Sequence, residues 1–152
     1  MLRLAAIVPP DWERLEAMAE RLKLSTVERK YLEDFASFPI IRDEWSGPQF
    51  DALLYQHGAS GAETRLKLAL SHSSLKAQGD VNELERVARL VALLDRVMSW
   101  IKPVLPVKGA DLLRAGFVAG PEIGEKLAAL EALWLESNFK LSQDELLAKL
   151  KH

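Results

Sequence analysis

Three arginines, Arg86, Arg89 and Arg96, recur at helical spacing, and three more cations, Lys108, Arg114 and Lys126, flank glycines at Gly109, Gly116, Gly120 and Gly124. A guanidinium is permanently charged and forks onto phosphate oxygens, so arginines along one helix face can follow a nucleic-acid backbone. At about 100° per residue the three fall within about 80° of one another. Val87, Val91, Leu94 and Met98 fall within about 60° of one another on the opposite side, as the apolar stripe. Glu85 shares the arginine face, so a plain solvated helix back fits the same residues. The glycines have two readings as well. They make tight turns in helical hairpins, and a glycine-fronted helix start offers free N–H groups and a positive dipole end to an anion.

Other chemistry has little to stand on. The chain has no cysteine, which excludes disulfides, thiolate metal sites and a thiol nucleophile. His57, His72 and His152 are scattered. Ser71-His72-Ser73-Ser74 sets hydroxyls beside an imidazole, but neighbours on a helix diverge and no carboxylate partner is placed by the sequence. The close acidic pairs Glu33/Asp34, Asp43/Glu44 and Asp144/Glu145 stand in helical or loop contexts, where adjacent carboxylates point apart, so no metal dyad is expected. Trp12, Trp45, Trp100 and Trp134 read as core or subdomain-interface residues, with Trp45 the one that a connector would expose.

The charge is unevenly spread. Residues 64–110 hold eight cations and four acids, a net of +4 in a chain whose net is −2, so acidic ends flank a basic stretch. No apolar run approaches the roughly 18 residues of a membrane span, and the first residues are too short for a secretory leader. A cytoplasmic protein with no membrane partner is the expectation.

These residues need helices to position them, and helix signals recur throughout. Asp11 caps a helix carrying Trp12, Leu15, Ala19 and Leu22, to about Lys23. Ser25 and Glu28 form a capping box ahead of Val27, Tyr31, Phe35 and Phe38, and Pro39 ends that helix. Residues 39–47 connect to a helix opened by Pro48, bearing Phe50, Leu53 and Leu54 and closed by Gly58. Ser60 and Glu63 suggest a further box, with a helix to about Gln78 broken by Gly79. Asp80 and Glu83 then open the longest helix, to about Lys102, before Pro103 and Pro106 forbid continuation. No strand or hairpin signal is present. The fold class is all-α: an antiparallel helical array over 1–102, the body, and a glycine-turn helical hairpin over 103–152, the tail.

The tail carries the densest pattern. Asp111 is placed to cap a very short helix, Leu112 to Ala115, which Gly116 ends in a left-handed conformation. Gly120 precedes Pro121, which suits the first turn of a helix with a buried stripe of Ile123, Leu127, Leu130 and Trp134. Gly124 costs that helix about 1 kcal/mol against alanine, and a glycine there points to a close neighbouring backbone, from protein or ligand. Ser142 and Glu145 form a last capping box, with Leu141 and Leu146 as a staple.

The run Pro106, Gly109, Asp111, Leu112, Leu113, Gly116, Gly120, Pro121, Ile123, Gly124 and Leu127 resembles the C-terminal end of bacterial tRNA nucleotidyltransferases. This is the CCA-adding and poly(A) polymerase-like family, and the variant looks closest to alphaproteobacterial members. Residues 20–32 and the trailing WLESNFKLSQDELLAKL are similar to its body and tail. The resemblance implies a module that holds tRNA, and the residues read above, Arg86, Arg89, Arg96, Lys108, Gly109, Arg114, Gly120, Gly124 and Lys126, are the expected contacts. It implies as partners tRNA and the catalytic head of the same enzyme. Self-association, or a protein-interaction module packed on such a head, is the alternative.

The family's catalytic head carries a Gly-Ser loop and an Asp-x-Asp metal site, and its neck a Glu-Asp-x-x-Arg signature. This chain has none of them; Glu33-Asp34 is followed by Phe-Ala-Ser. The two-metal chemistry needs those aspartates. No catalytic residue, metal or cofactor is therefore expected here, Mg2+ and CTP or ATP belonging to the absent head and neck. The expectation is a fragment without transfer activity of its own, beginning near the end of the neck.

Overall fold

In a computed structural model of the chain, residues 1–77 and 80–150 are described. The described residues form nine helices and no strand: α1 (Leu2–Ala5), α2 (Trp12–Arg21), α3 (Thr26–Ser37), α4 (Gly47–His57), α5 (Ala59–Lys76), α6 (Val81–Met98), α7 (Gly109–Arg114), α8 (Pro121–Glu136) and α9 (Gln143–Lys149). The fold is all-α, and no described helix is long and apolar enough to cross a membrane. The chain divides into two compact units, Met1–Ile101 and Lys102–His152.

Helix starts follow the caps. Asp11 accepts from the Arg14 N–H at 3.4 Å. Ser25 and Glu28 close a reciprocal box at α3, and Ser142 and Glu145 do the same at α9. Another serine, Ser46, forms a box with Gln49 that starts α4 one residue ahead of Pro48. The expected box at Ser60 is absent. Gly58, at φ +83, closes α4 and is also the N-cap of α5, so Ser60 falls inside α5 and its carbonyl accepts from the Thr64 hydroxyl at 3.1 Å. Glu63 pairs with Lys67 instead. Asp80 caps α6 through the N–H groups of Asn82 and Glu83. The expected break at Gly79 and end at Gln78 lie outside the described residues; α5 ends at Lys76 and α6 at Met98, short of Lys102. Asp111 is not a cap of the short tail helix. It sits inside α7 at the third position, and its carboxylate accepts from the Lys108 N–H at 2.8 Å.

The first unit is built on α5, which packs on both α3 and α6. One cluster gathers Phe38, Phe50, Leu54, Ala62, Leu66, Leu90, Leu93 and Val97; a second gathers Ala5, Leu15, Ala19, Leu32 and Phe35. The α3–α5 contact is so close that a Cβ on Gly61 would stand 2.1 Å from the Asp34 carbonyl oxygen. Arg65 fixes the same junction. It donates to the Phe35 and Ala36 carbonyls at 2.9 and 3.2 Å, satisfying the orphan acceptors near the end of α3, and stacks on the Phe35 ring.

The stripes expected on α2 and α3 hold in large part: Leu15, Ala19, Phe35 and Phe38 are buried, while Leu22 and Val27 are exposed and Leu32 is buried as well. The α6 stripe is rotated. On α6 the buried residues are Leu90, Leu93 and Val97, while Val91 and Met98 are exposed. The buried arc lies to the arginine side of the expected apolar stripe and takes in the direction of Arg86, which is about 20° from both Leu93 and Val97. α6 is apolar around so much of its circumference that spacing alone admits either face. Contact with α4 and α5 selects one.

In the second unit α8 packs on α7 and α9 around Val107, Leu112, Leu130, Trp134 and Leu146. Trp134 meets Phe139 edge to face at 5.0 Å. Gly116 adopts φ +95, the left-handed ending expected of it.

Candidate nucleic-acid interface

The arginine face of α6 is occupied by the protein's own carboxylates. Because the buried arc is centred nearer the arginines than spacing suggested, their side chains run along the edge of the core toward residues 39–51. Asp43, in the connector, lies 2.9 Å from Arg89 Nη2 and 3.5 Å from Arg86 Nε. Asp51, on α4, takes a two-pronged bond from Arg96, and this bond raises the guanidinium's pKa further. Glu83 and Glu85 add second partners to Arg86 and Arg89 from within α6, at 3.9 and 3.7 Å. The carboxylates are the more sheltered side: the Asp43 and Asp51 side chains are 11% and 15% exposed, against 39–48% for the arginines. Arg86 Nε and Glu83 Oε2 are buried without a hydrogen-bond partner among the described residues.

Asp43 and Asp51 were missed by the sequence reading, which weighed Asp43 only as half of a metal pair. The signal was in the charge count. A basic window between acidic ends is what internal pairing across the fold requires, and Arg65 and Lys67 are likewise occupied, by backbone carbonyls and by Glu63.

The tail hairpin is built differently. At Gly109 a Cβ would stand in ordinary contact with α8, 3.5 Å from Ile123 and 4.0 Å from Leu127. At Gly120 and Gly124 an added Cβ would meet nothing within 4 Å, so no described part of the protein explains their lack of a side chain. The expectation of a close backbone at Gly124 therefore finds no protein partner. Gly120 is in extended conformation at φ 165 and offers no side-chain cap to α8. The N–H groups of the first turn of α8 thus lie beside two bare glycines. Arg114 bonds Asp111 at 3.2 Å and Lys126 reaches Glu122 at 3.1 Å, each pair with one largely exposed partner. Lys126 also lies 4.9 Å above the ring of Phe117, a residue the sequence reading passed over. Pairs three or four residues apart within one helix, with one partner open to solvent, are weak and leave that partner able to meet another ion.

The two sets of candidate residues belong to different units: Arg86, Arg89 and Arg96 to the first, and Lys108, Gly109, Arg114, Gly120, Gly124 and Lys126 to the second. The remaining motifs do local work. Ser71 bonds the Lys67 carbonyl within its own helix, and the Ser73 hydroxyl is buried. Glu33 and Asp34 both hold Lys30, and Asp34 is the larger cause of its raised pKa. Glu145 caps α9, and the Ser142 N–H holds its carboxyl below the ordinary value. Among the described residues no group of three or more His, Asp or Glu side chains is arranged to hold a metal ion. Trp134 is buried, and Trp12, Trp45 and Trp100 are half-buried.

Part of the chain is similar to curated proteins named CCA tRNA nucleotidyltransferase 1, mitochondrial. The Danio rerio protein is 40% identical over 73 residues, 48% of this chain and 17% of that protein. Those of Mus musculus and Homo sapiens are each 37% identical over 59 residues, 39% of this chain and 14% of theirs. The chain thus matches less than a fifth of the length of these relatives. No family model and no solved structure matches it.

Proposed function

We propose that this chain is the tRNA-holding body and tail of a tRNA nucleotidyltransferase of the bacterial type, with nucleotide addition carried out by a catalytic head that the chain does not supply. The observation that carries this reading is the similarity to CCA tRNA nucleotidyltransferases over up to 73 residues. The geometry supports a phosphate grip centred on the tail. There the start of α8, Gly120, Gly124, Lys108 and the loosely paired Arg114 and Lys126 are open to an RNA backbone. The α6 arginines play a lesser part, since each must share its guanidinium with Asp43 or Asp51.

The test is a tRNA titration at several salt concentrations. Log affinity should fall linearly with log salt, in proportion to the phosphates engaged. Replacing Lys108, Arg114 and Lys126 together by Gln should flatten that slope more than replacing Arg86, Arg89 and Arg96. The second triple variant needs a helicity check, because it also releases the connector. Equal, salt-insensitive binding to tRNA and to an unrelated protein would sink the reading. Nucleotide addition to tRNA by this chain alone, with Mg2+, CTP and ATP, would refute the assignment of catalysis elsewhere.

A protein-interaction role has one observation in its favour. Leu84, Val91 and Met98 leave an apolar flank of α6 exposed among the described residues. A catalytic head of the same enzyme is the partner this reading names, and co-purification of separately expressed head and body would support it.

A further inference from the structure

Between the 39–47 connector and α6 lies an open groove of about 390 Å³ whose walls include Trp45, Gly47, Arg89 and Arg96, with Asp43 and Glu44 beside them. Trp45 is backed firmly. Its ring stacks on Phe50, at 5.9 Å and 23° between planes, and Phe50 is fully buried. The residue itself is only half-buried, and its remaining surface lines the groove. The next residue, Ser46, is locked into the capping box of α4, so the indole sits on a fixed piece of backbone.

The two arginines are also fixed. Arg89 places Nε and Nη2 on one oxygen of Asp43. Arg96 places Nε and Nη2 on Asp51 and lies flat against Gly47, where a Cβ would come within 3.1 Å of the guanidinium carbon. Its Nη1 has no acceptor among the described residues and stands at the same glycine. Each guanidinium is therefore oriented by a carboxylate on one edge; on the other, Arg89 Nη1 faces Glu85 at 3.7 Å, beyond hydrogen-bond distance, so N–H capacity remains there as well as at Arg96 Nη1.

An indole and two oriented guanidiniums lining one groove form the donor set for a nucleotide. A base stacks on the ring, and its phosphate takes N–H groups that are already aimed. Asp43, Glu44 and Asp51 offset the charge of Arg89 and Arg96, so stacking rather than net attraction must supply most of the binding. A duplex offers no free base face, which leaves an unpaired nucleotide as the occupant.

We propose that this groove is a subsite for a single unstacked nucleotide of bound RNA, its base against Trp45 and its phosphate on Arg89 and Arg96. The proposal rests on the tRNA reading above. The experiment follows tryptophan emission of the full chain during titration with a seven-nucleotide single-stranded RNA, a blunt RNA duplex and tRNA. The single strand should quench emission with little dependence on salt, and the duplex should not. Trp45→Leu keeps apolar cover on Phe50 and removes the ring; it should abolish that quench and weaken single-strand binding roughly tenfold. Gly47→Ala leaves Trp45 in place and crowds only the Arg96 guanidinium; it should weaken single-strand binding severalfold, and it decides the matter if the first variant does not fold. An unchanged quench in folded Trp45→Leu, or equal quenching by duplex and single strand, overturns the subsite while intact tRNA binding leaves the broader function standing. Failure of the wild-type chain to bind tRNA at any salt concentration removes both.

Discussion

The arginine face of α6 and the glycine hairpin of α7 and α8 both carry cations at spacings suited to phosphate, yet the fold uses them in opposite ways. On α6, Arg86, Arg89 and Arg96 reach across to sheltered carboxylates more than forty residues away in sequence, and the pairs hold the 39–47 connector and α4 against the core. In the hairpin, the ion pairs of Arg114 and Lys126 among the described residues are with acids of their own helices, and two glycines face open space. The glycines divide in the same way. Gly61 and Gly47 are small because protein atoms sit where a side chain would go, whereas Gly120 and Gly124 have no such neighbour. A cation or a glycine is thus informative about a ligand only after the protein's own demands on it have been subtracted.

The sharpest test of that contrast is Gly61→Ala. A methyl there would collide with the backbone of α3, which cannot yield as a side-chain tip can, and a loss of about 3 kcal/mol or more in urea unfolding is expected. An unchanged midpoint would show that α3 and α5 are not held so closely.

Asp43→Asn should cost about 1–2 kcal/mol, since it weakens two charge-assisted contacts at once and leaves both arginines half-solvated rather than buried. The loss should shrink as salt rises, and the same variant should bind tRNA more steeply with salt if the freed guanidiniums then reach phosphate. No change in stability would mean the connector is held without this clamp.

Gly124→Ala carries the opposite sign. With open space around it, the substitution should stabilise the chain by about 1 kcal/mol through helix propensity. It should also weaken tRNA binding if an RNA backbone is what approaches there. Greater stability with unaltered RNA affinity would make Gly124 a structural accident and move the grip elsewhere.

The smallest effect expected is acid-dependent. Hydrogen bonds from the Ser25 and Ser142 N–H groups hold the carboxyls of Glu28 and Glu145 below their ordinary value of 4.5. A lowered folded-state pKa means that the stabilisation is fully present above the unfolded value and is lost as pH falls through the folded one. Helicity followed by circular dichroism should therefore decline slightly in that acid range. Gln at both positions should remove that part of the pH dependence while keeping the caps; an unaltered acid profile would show that other carboxylates dominate it.

Local chemistry was legible in the sequence. The boxes at Ser25 and Ser142, the caps at Asp11 and Asp80, the stop at Gly58 and the left-handed Gly116 all depend on partners within a few residues, so their spacing in the chain is their spacing in space. The all-α class follows from the same signals, and the tail pattern pointed to the protein group with which part of the chain shares similarity. The misreadings were also of one kind. Ser60 was misjudged because the junction with α4 removed the need for a cap, and Asp111 because α7 begins earlier than its pattern implied. Only the tertiary structure decided which side of α6 is buried, because a helix with apolar residues on several sides has no preferred face until α4 and α5 pack on it. That choice turned the arginines toward Asp43 and Asp51. In the second unit, Gly120 and Gly124 are the glycines at which a side chain would meet nothing among the described residues.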